Sequence, residues 1–389
     1  MQKKILIVSH YAELYGANLS LLTVIKSLID SKEIVFEVVL PKWGGFADEL
    51  KKLGLNPAVV YFPYCVNTKP YYGGRLGKIK SWIAHKKQIA HRKKELQQAL
   101  LTLANQYASG KIDLVYSNSS VISIGFELSK KLDVPHVFHV REFAVEHYNF
   151  VPDDGEKKFY AMFAASARVI FISESIAHYF AKREKIKSVV IYNGVFTKRE
   201  AEQVKLINRE NARYTFSIVG LISKNKHQID AVRAIAILKE RGVDCKLEIT
   251  GGGNDNKIKN LIKELGLKEE VELRGYVSDV NTIYGRTDCL LMCSLYEGMG
   301  RVTAEAMFHG LPVIGYNSGA TPEIVMDGET GFIVEPNYVD LADKMHFLME
   351  NKTIGENMGK AGRIRAHELF LTEKNCESVI AEFKKLLDK

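Results

Sequence analysis

Cys289-Leu-Leu-Met-Cys293-Ser-Leu-Tyr-Glu297-Gly-Met-Gly300-Arg-Val-Thr-Ala-Glu305-Ala-Met-Phe-His-Gly310-Leu-Pro-Val-Ile-Gly315 holds, in order, an apolar run, a glycine-bearing loop, a helical stretch and a second apolar run. Ala304, Met307, Phe308 and Leu311 fall at i, i+3, i+4 and i+7, one face of an amphipathic helix. The flanking runs Cys289–Cys293 and Pro312–Gly315 lack polar alternation, as expected of strands buried on both faces. Strand, helix and strand in this order make a parallel crossover unit. The same alternation extends outward. Tyr214–Val219, Lys246–Thr250 and Val271–Leu273 read as strands before the quoted segment. Ile5–Ser9, Val35–Leu40, Ala58–Phe62, Leu114–Ser117, Val137–Val140 and Val169–Ile172 read as strands in the first half. Helical stretches such as Leu19–Leu28, Gly125–Lys131 and Ser173–Ala181 lie between them. The expected fold class is α/β, with two doubly wound, Rossmann-like domains. A chain of 389 residues suits two domains. The boundary is expected near Asn193-Gly-Val195, giving domains 1–195 and 196–371. Ligands of such sheets sit beyond the carboxyl ends of the strands, so two domains facing each other would hold the chemistry in a cleft between them.

Composition excludes several classes. With 46% hydrophobic and 26% charged residues, the chain is neither disordered nor fibrous. It has no apolar run long enough for a transmembrane helix. Met1-Gln-Lys-Lys leads into only four apolar residues, Ile5–Val8, too few for a secretory signal core, so a cytoplasmic protein is expected. The five cysteines are scattered, and Cys289 and Cys293 lie in an apolar stretch, which reads as core thiols. The net charge of +8 is uneven: residues 1–195 carry 27 Lys/Arg against 17 Asp/Glu, and residues 196–389 carry 27 against 29. No acidic residue lies between Glu49 and Glu95, where eleven basic residues fall, Arg75, Lys78, Lys86, Lys87, Lys93 and Lys94 among them. Tyr61, Phe62, Tyr64, Tyr71, Tyr72 and Trp82 are interleaved with these cations. Such a surface suits an anionic membrane, each basic residue adding about 1 kcal/mol near it, or else is a solvated helix face. Charge dominates over any apolar stripe, because Lys86 interrupts the face begun by Ile79, Trp82 and Ile83. No nucleic-acid motif supports binding of DNA or RNA.

The quoted loop carries the most chemistry. Gly298 and Gly300 precede a helix, where free N–H groups favour phosphate. Thr303 adds a hydroxyl, and Glu305 in the first turns of the helix suits a pair of ribose hydroxyls. Glu297 flanks the glycines on the other side. On spacing alone, a nucleotide-diphosphate loop and a tight turn into a packed helix stand level.

The pattern Glu-Gly-x-Gly-x-x-x-x-Glu, then Ala-Met, then Gly-x-Pro-Val-Ile, resembles the signature of family 4 retaining glycosyltransferases of the GT-B fold, group 1. Ser318-Gly-Ala-Thr-Pro-Glu-Ile-Val-Met-Asp-Gly-Glu-Thr-Gly-Phe-Ile-Val334 continues the likeness. The resemblance implies that Glu305 holds the ribose and that Glu297 lies near the anomeric carbon. It implies backbone contacts to the sugar and diphosphate from Met299, Gly300, Arg301 and Val302, beside Gly298 and Thr303. Val219-Gly-Leu-Ile-Ser-Lys-Asn-Lys226 resembles the family's diphosphate-binding segment, with Lys226 at its lysine. Leu221 stands at the arginine position and His227 at a glycine, so one cation is lost unless Lys224 or another residue replaces it. The glycines of Ile249-Thr-Gly-Gly-Gly253, Gly251 and Gly253 included, resemble the turn beside the base. Arg274-Gly-Tyr-Val277 resembles the strand end that reads the base, where Tyr276 stacks on it or packs on the next helix, beside Val277.

In the first half, Tyr15-Gly-Ala-Asn18 resembles the family's Gly-Gly-Ala-Glu turn, keeping only Gly16 and Ala17. His139-Val-Arg-Glu142 lies where the family keeps a cleft histidine. This makes His139 a sugar-contacting, catalytic candidate with Glu297 and Lys226, and Arg141 and Glu142 acceptor-facing candidates. The family returns its last helix, here Thr372–Lys389, to the first domain. The implied reaction is retaining transfer from a nucleotide sugar, a UDP sugar by resemblance, to a hydroxyl of a lipid-linked or surface-glycan acceptor at the inner membrane face. The chain contains no Asp-x-Asp, and no metal or other cofactor is expected. A double displacement with Glu297 as nucleophile stays open, as does a non-catalytic partner of another transferase, which Leu221 and Asn18 favour.

Overall fold

The computed structural model describes residues 2–68, 74–108, 112–145, 150–204 and 213–388, the side chains of 74–78 excepted. The expected membrane-facing Arg75 and Lys78 therefore have side chains outside the described set. The chain forms two compact units, Met1–Ile191 with Asn375–Lys389, and Tyr192–Lys374. The first unit thus ends four residues before Val195, and the chain re-enters it at Asn375 rather than Thr372.

Unit 1 is built on a seven-stranded sheet in the order Ala58–Val59, Ile34–Leu40, Lys3–Val8, Leu114–Ser117, His136–Val140, Arg168–Phe171, Ser188–Val190. All its pairings are parallel. The central strands are buried along their length because helices cover both faces. From Lys3–Val8 the chain winds outward on one side, then returns to add Leu114–Ser117 on the other. The carboxyl ends of these two neighbours mark the switch point where a crevice opens. A short antiparallel pair, Val66–Thr68 with Phe150–Pro152, stands apart from the sheet. A helix of 34 residues, Gly74–Tyr107, precedes Leu114–Ser117.

Unit 2 repeats the plan with six parallel strands in the order Val271–Gly275, Cys245–Thr250, Tyr214–Val219, Cys289–Met292, Val313–Tyr316, Gly331–Val334. Its switch point lies between Tyr214–Val219 and Cys289–Met292. Cys289 and Cys293 are buried in the core with Phe216, Ile314 and Tyr316. Among the described residues, no helix is long and apolar enough to cross a membrane.

The last helix, Thr372–Leu387, belongs to unit 1 from Asn375 onward. Cys376, Val379, Ile380, Phe383, Leu386 and Leu387 form its buried face and join the core of Ile5, Ile7, Tyr116 and Val137. The Phe383 ring meets Tyr116 edge-on at 5.2 Å between centroids. Phe383→Ala should therefore cost about 3–5 kcal/mol, measured by urea denaturation of the whole chain.

His136 is also buried in this unit, with Nε2 2.9 Å from Ser117 Oγ and Nδ1 3.1 Å from Ser166 Oγ. Burial lowers its pKa from 6.5 to about 3. The unfolded chain therefore takes up a proton below pH 6.5 that the folded chain refuses. Stability is present above that pH and falls on acidification, by about 1.4 kcal/mol per pH unit for this group. The slope of unfolding free energy between pH 6 and 4.5 should shrink by about one proton in His136→Asn.

Candidate active site

The switch point of unit 2 is formed by the segments after Tyr214–Val219 and Cys289–Met292. The first, Gly220 to His227, ends in a short 3-10 turn, Lys224–Lys226. It is tied to its neighbour by Gly220 N–H to Thr250 O at 2.9 Å and Ile222 N–H to Gly252 O at 2.8 Å. Gly251 must be glycine here: its φ is +154° and a Cβ would lie 1.9 Å from Gly220 O. This anchoring presents Lys226, whose Nζ donates to Glu297 Oε2 at 2.6 Å. Glu297 Oε1 accepts from Gly300 N–H at 3.2 Å, and Ala320 N–H donates to Glu297 O at 2.9 Å. A cation and a carboxylate thus meet at the mouth of the glycine loop, both partly exposed.

Gly300 takes φ +72° and starts the helix Arg301–Phe308, which has no side-chain cap and no acid in its first turn. The backbone N–H groups of Arg301 and Val302 at its start have no side-chain cap, the arrangement that favours an anion. Thr303 is buried beside them, its Oγ1 without a hydrogen-bond partner among the described residues. Glu305 is 7% exposed. Its Oε1 accepts from Arg301 Nε at 3.0 Å and its Oε2 from Tyr284 Oη at 3.0 Å. Burial raises its pKa above the ordinary carboxylate value, while Arg301 and Tyr284 work in the opposite direction. Arg301 also donates to Val195 O at 3.0 Å, which fixes the guanidinium between two acceptors.

Unit 1 gathers a second cluster at its own switch point. Asn18 accepts from Ser9 Oγ at 2.6 Å and donates to Tyr11 O and Glu13 O at 2.9 and 2.8 Å, so it braces the turn after the first strand. The next helix, Gly16–Ser31, has no side-chain cap and no acid in its first turn, and nothing lies within 4 Å of a Cβ placed on Gly16. His139 is fully buried. Burial and the neighbouring Arg141 hold its pKa well below 6.5, so the ring is neutral. Its Nδ1 lies 2.6 Å from Tyr116 Oη and 3.4 Å from Arg141 Nη2. A guanidinium only donates, which makes Nδ1 the acceptor and puts the ring proton on Nε2. That buried Nε2 has no partner among the described residues. Arg141 Nε donates to Asn118 Oδ1 at 2.8 Å. Glu142 Oε1 accepts from Ser119 Oγ, Ser120 N–H and Ser120 Oγ at 2.8, 2.9 and 2.6 Å.

The family model for glycosyl transferases group 1 matches residues 198–365, and that for glycosyltransferase family 4 matches residues 43–199. Together the two models span residues 43–365, and both describe glycosyltransferases. N-acetyl-alpha-D-glucosaminyl L-malate synthase of Bacillus anthracis is 33% identical over 39% of this chain and 40% of its own. The capsular polysaccharide biosynthesis glycosyltransferase CapM of Staphylococcus aureus is 30% identical over 58% of this chain and 64% of its own. The chain thus spans well under two thirds of the first of these relatives and just under two thirds of the second. Anabaena Alr3699/HepE in complex with UDP superposes with a TM-score of 0.76 at 18% identity, over 98% of this chain and 100% of its own. A glycosyltransferase of Rickettsia africae does so at 0.73 and 19%, over 99% of each. These likenesses establish the GT-B fold, with its two Rossmann-like units.

Glu297, Lys226, Gly298, Met299, Gly300, Arg301, Val302, Thr303 and Glu305 fall in one loop and helix start with the turn they pair to. Met299 is buried, while Tyr276 is 80% exposed and so is not packed on the following helix. Gly251 and Gly253 both interlock with the Lys226 segment, since a Cβ on Gly253 would lie 2.8 Å from Ile222 O. Leu221, at the position of the lost arginine, is 65% exposed, and Lys224 is exposed too. Tyr284, Tyr116, Asn118 and His10 escape a reading by motif. Only His10, placed directly after the first strand, carried a signal that could have been used. Burial lowers the pKa of His10 to about 3, assisted by Arg141.

Gly319 holds the Glu297 loop from behind: its φ is +56° and a Cβ would lie 2.5 Å from Glu297 O. Gly319→Ala should destabilise the protein by about 1–3 kcal/mol in urea denaturation.

Proposed function

We propose that the chain is a retaining glycosyltransferase that moves a sugar from a UDP sugar to a hydroxyl of a lipid-linked or surface-glycan acceptor. The observation that carries this reading is the Lys226–Glu297 pair at the unit 2 switch point, beside the uncapped helix start at Gly300. The UDP in the Anabaena neighbour and the capsular role in the name of the Staphylococcus relative support the choice of donor and acceptor class.

In this reading Lys226 and the N–H groups of Arg301 and Val302 receive the diphosphate. Glu305 receives the ribose. A carboxylate has about four acceptor sites, of which Arg301 and Tyr284 use two, so two remain for the ribose hydroxyls. The bond from the anomeric carbon to the diphosphate breaks, and its electron pair leaves with the diphosphate. Fixed donors facing that growing charge lower the barrier, often the largest single contribution to catalysis. The acceptor oxygen forms the new bond on the same face and passes its proton to the leaving phosphate. This route needs no separate general base and no metal. Glu297 lies near the anomeric carbon and balances the positive charge there, and His139 Nε2–H donates to a sugar hydroxyl. Arg141 helps keep that histidine neutral, while Glu142 braces the loop at Ser119 and Ser120, so its acceptor role is indirect.

Unit 1 is the acceptor side in this reading. The long helix exposes Ile79, Trp82 and Ile83, with Lys86, Lys87 and Lys94 on the same outer side. This face would rest on an anionic membrane. Lys93 pairs with Asp154 and contributes less to it. Neutralising Lys80, Lys86, Lys87 and Lys94 together should abolish sedimentation with anionic liposomes at low salt. Unchanged sedimentation would remove the membrane from the proposal.

The deciding experiment is a panel of nucleotide sugars with the purified chain, reading release of nucleotide diphosphate. Release with one donor should be lost in Lys226→Ala and Glu305→Ala. Silence across the panel, with membrane extract supplying acceptors, would instead favour a non-catalytic partner. The exposed Leu221 and the structural use of Asn18 speak for that second reading. The elevated Glu305 pKa adds a signature. Nucleotide affinity should fall as pH drops through a midpoint above the ordinary carboxylate value, and Glu305→Gln should remove that pH dependence.

A further inference from the structure

Unit 1 contains a pocket of about 610 Å³. That volume is in the usual range for small-molecule sites, roughly 300–1,000 Å³. The residues of the proposed chemistry do not line it. Its floor is apolar, with Leu96, Phe126, Pro152, Phe159 and Met162. Most of its charged lining is internally paired: Arg92 Nε donates to Asp153 at 3.0 Å, Lys93 pairs with Asp154, and Glu127 pairs with Lys130, while Lys158 adds one exposed cation. The lining therefore suits a largely apolar occupant.

Two connections say what that occupant is. Tyr64 lines the pocket, and its ring lies 6.3 Å from that of His10, beside the His139 and Arg141 cluster. The pocket thus adjoins the unit 1 switch point. The helix Gly74–Tyr107 supplies Leu96 to the pocket and exposes Trp82, Ile79 and the lysine face. One helix therefore joins a basic face, on which Ile79 and Trp82 are also exposed, to an apolar cavity. We propose that this pocket takes the hydrocarbon chain of the acceptor, while the acceptor's reactive end lies past Tyr64. The proposal rests on unit 1 being the acceptor side.

The test uses the full chain and two dansyl-labelled alkyl phosphates, with twelve-carbon and two-carbon chains, below their aggregation concentrations. The longer probe should bind at least tenfold more tightly. Ala161 and Ala165 line the pocket and are exposed, so a larger side chain grows into the cavity rather than the core. Ala161→Trp and Ala165→Trp should each weaken the longer probe at least tenfold, with unfolding temperature and far-UV spectrum unchanged. Neutralising Lys86 and Lys87 should leave that binding intact. Equal binding of both probes overturns the proposal. So does wild-type binding by both folded tryptophan variants, or binding lost only with the lysines. Nucleotide release on the same samples tests catalysis separately. Release without chain-length-dependent binding overturns the pocket alone. Tryptophan-sensitive binding without release upholds the pocket and rejects the catalytic reading.

Discussion

Parallel strands cannot be joined by a tight turn, and this constraint governs both units. Each strand must be reached by a crossover, and each crossover places its loop at the carboxyl end of the sheet. In both units the chain winds away from its first strand and then returns to the other side. The loops after the two neighbouring strands therefore diverge and leave a crevice. The Ser9–Asn18 brace and His139 occupy this position in one unit, and Lys226 and Glu297 in the other. Two helices begin there without side-chain caps, Gly16–Ser31 and Arg301–Phe308, so no side chain takes up their first backbone N–H groups.

Burial then sets the protonation states. His139 is neutral because a buried imidazole beside Arg141 cannot take a second positive charge. The same burial raises the Glu305 pKa, and the carboxylate depends on Arg301 and Tyr284 for its hydrogen bonds. Lys226 and Glu297 are less buried and satisfy each other across the mouth of the loop. The glycines at 251 and 319 make these pairings possible, since any side chain at either position would strike the backbone carbonyl of the opposing loop.

How far the sequence could be read varies by element. Apolar strands inside the sheets were legible at nearly their observed ends, Leu114–Ser117 and Tyr214–Val219 among them. Ser188–Val190 and Gly331–Val334, each at the edge of its sheet, were not recognised as strands. The expected strand Ala58–Phe62 shrinks to Ala58–Val59 at the sheet edge, where only one neighbour is available to hold it. Glu297, Lys226 and Glu305 were legible because loop and helix start are contiguous and their spacing is characteristic. Tyr284 carried no such mark, since it meets Glu305 only after the intervening strand, Cys289–Met292, has been laid in the sheet.

By itself the sequence determined the alternation of strands and helices, the two-unit plan and the order of the glycine loop with its flanking glutamates. All of these follow from local periodicity and backbone freedom. The tertiary structure alone decided which groups meet and in what charge state. The Lys226–Glu297 pair spans 71 residues, and the Tyr116–His139 contact spans 23. The capture of Glu305 by Tyr284 and the apolar pocket behind Tyr64 depend in the same way on packing. Desolvation and side-chain contact are properties of the packed interior, and residues distant in sequence acquire them only when the sheet closes around them.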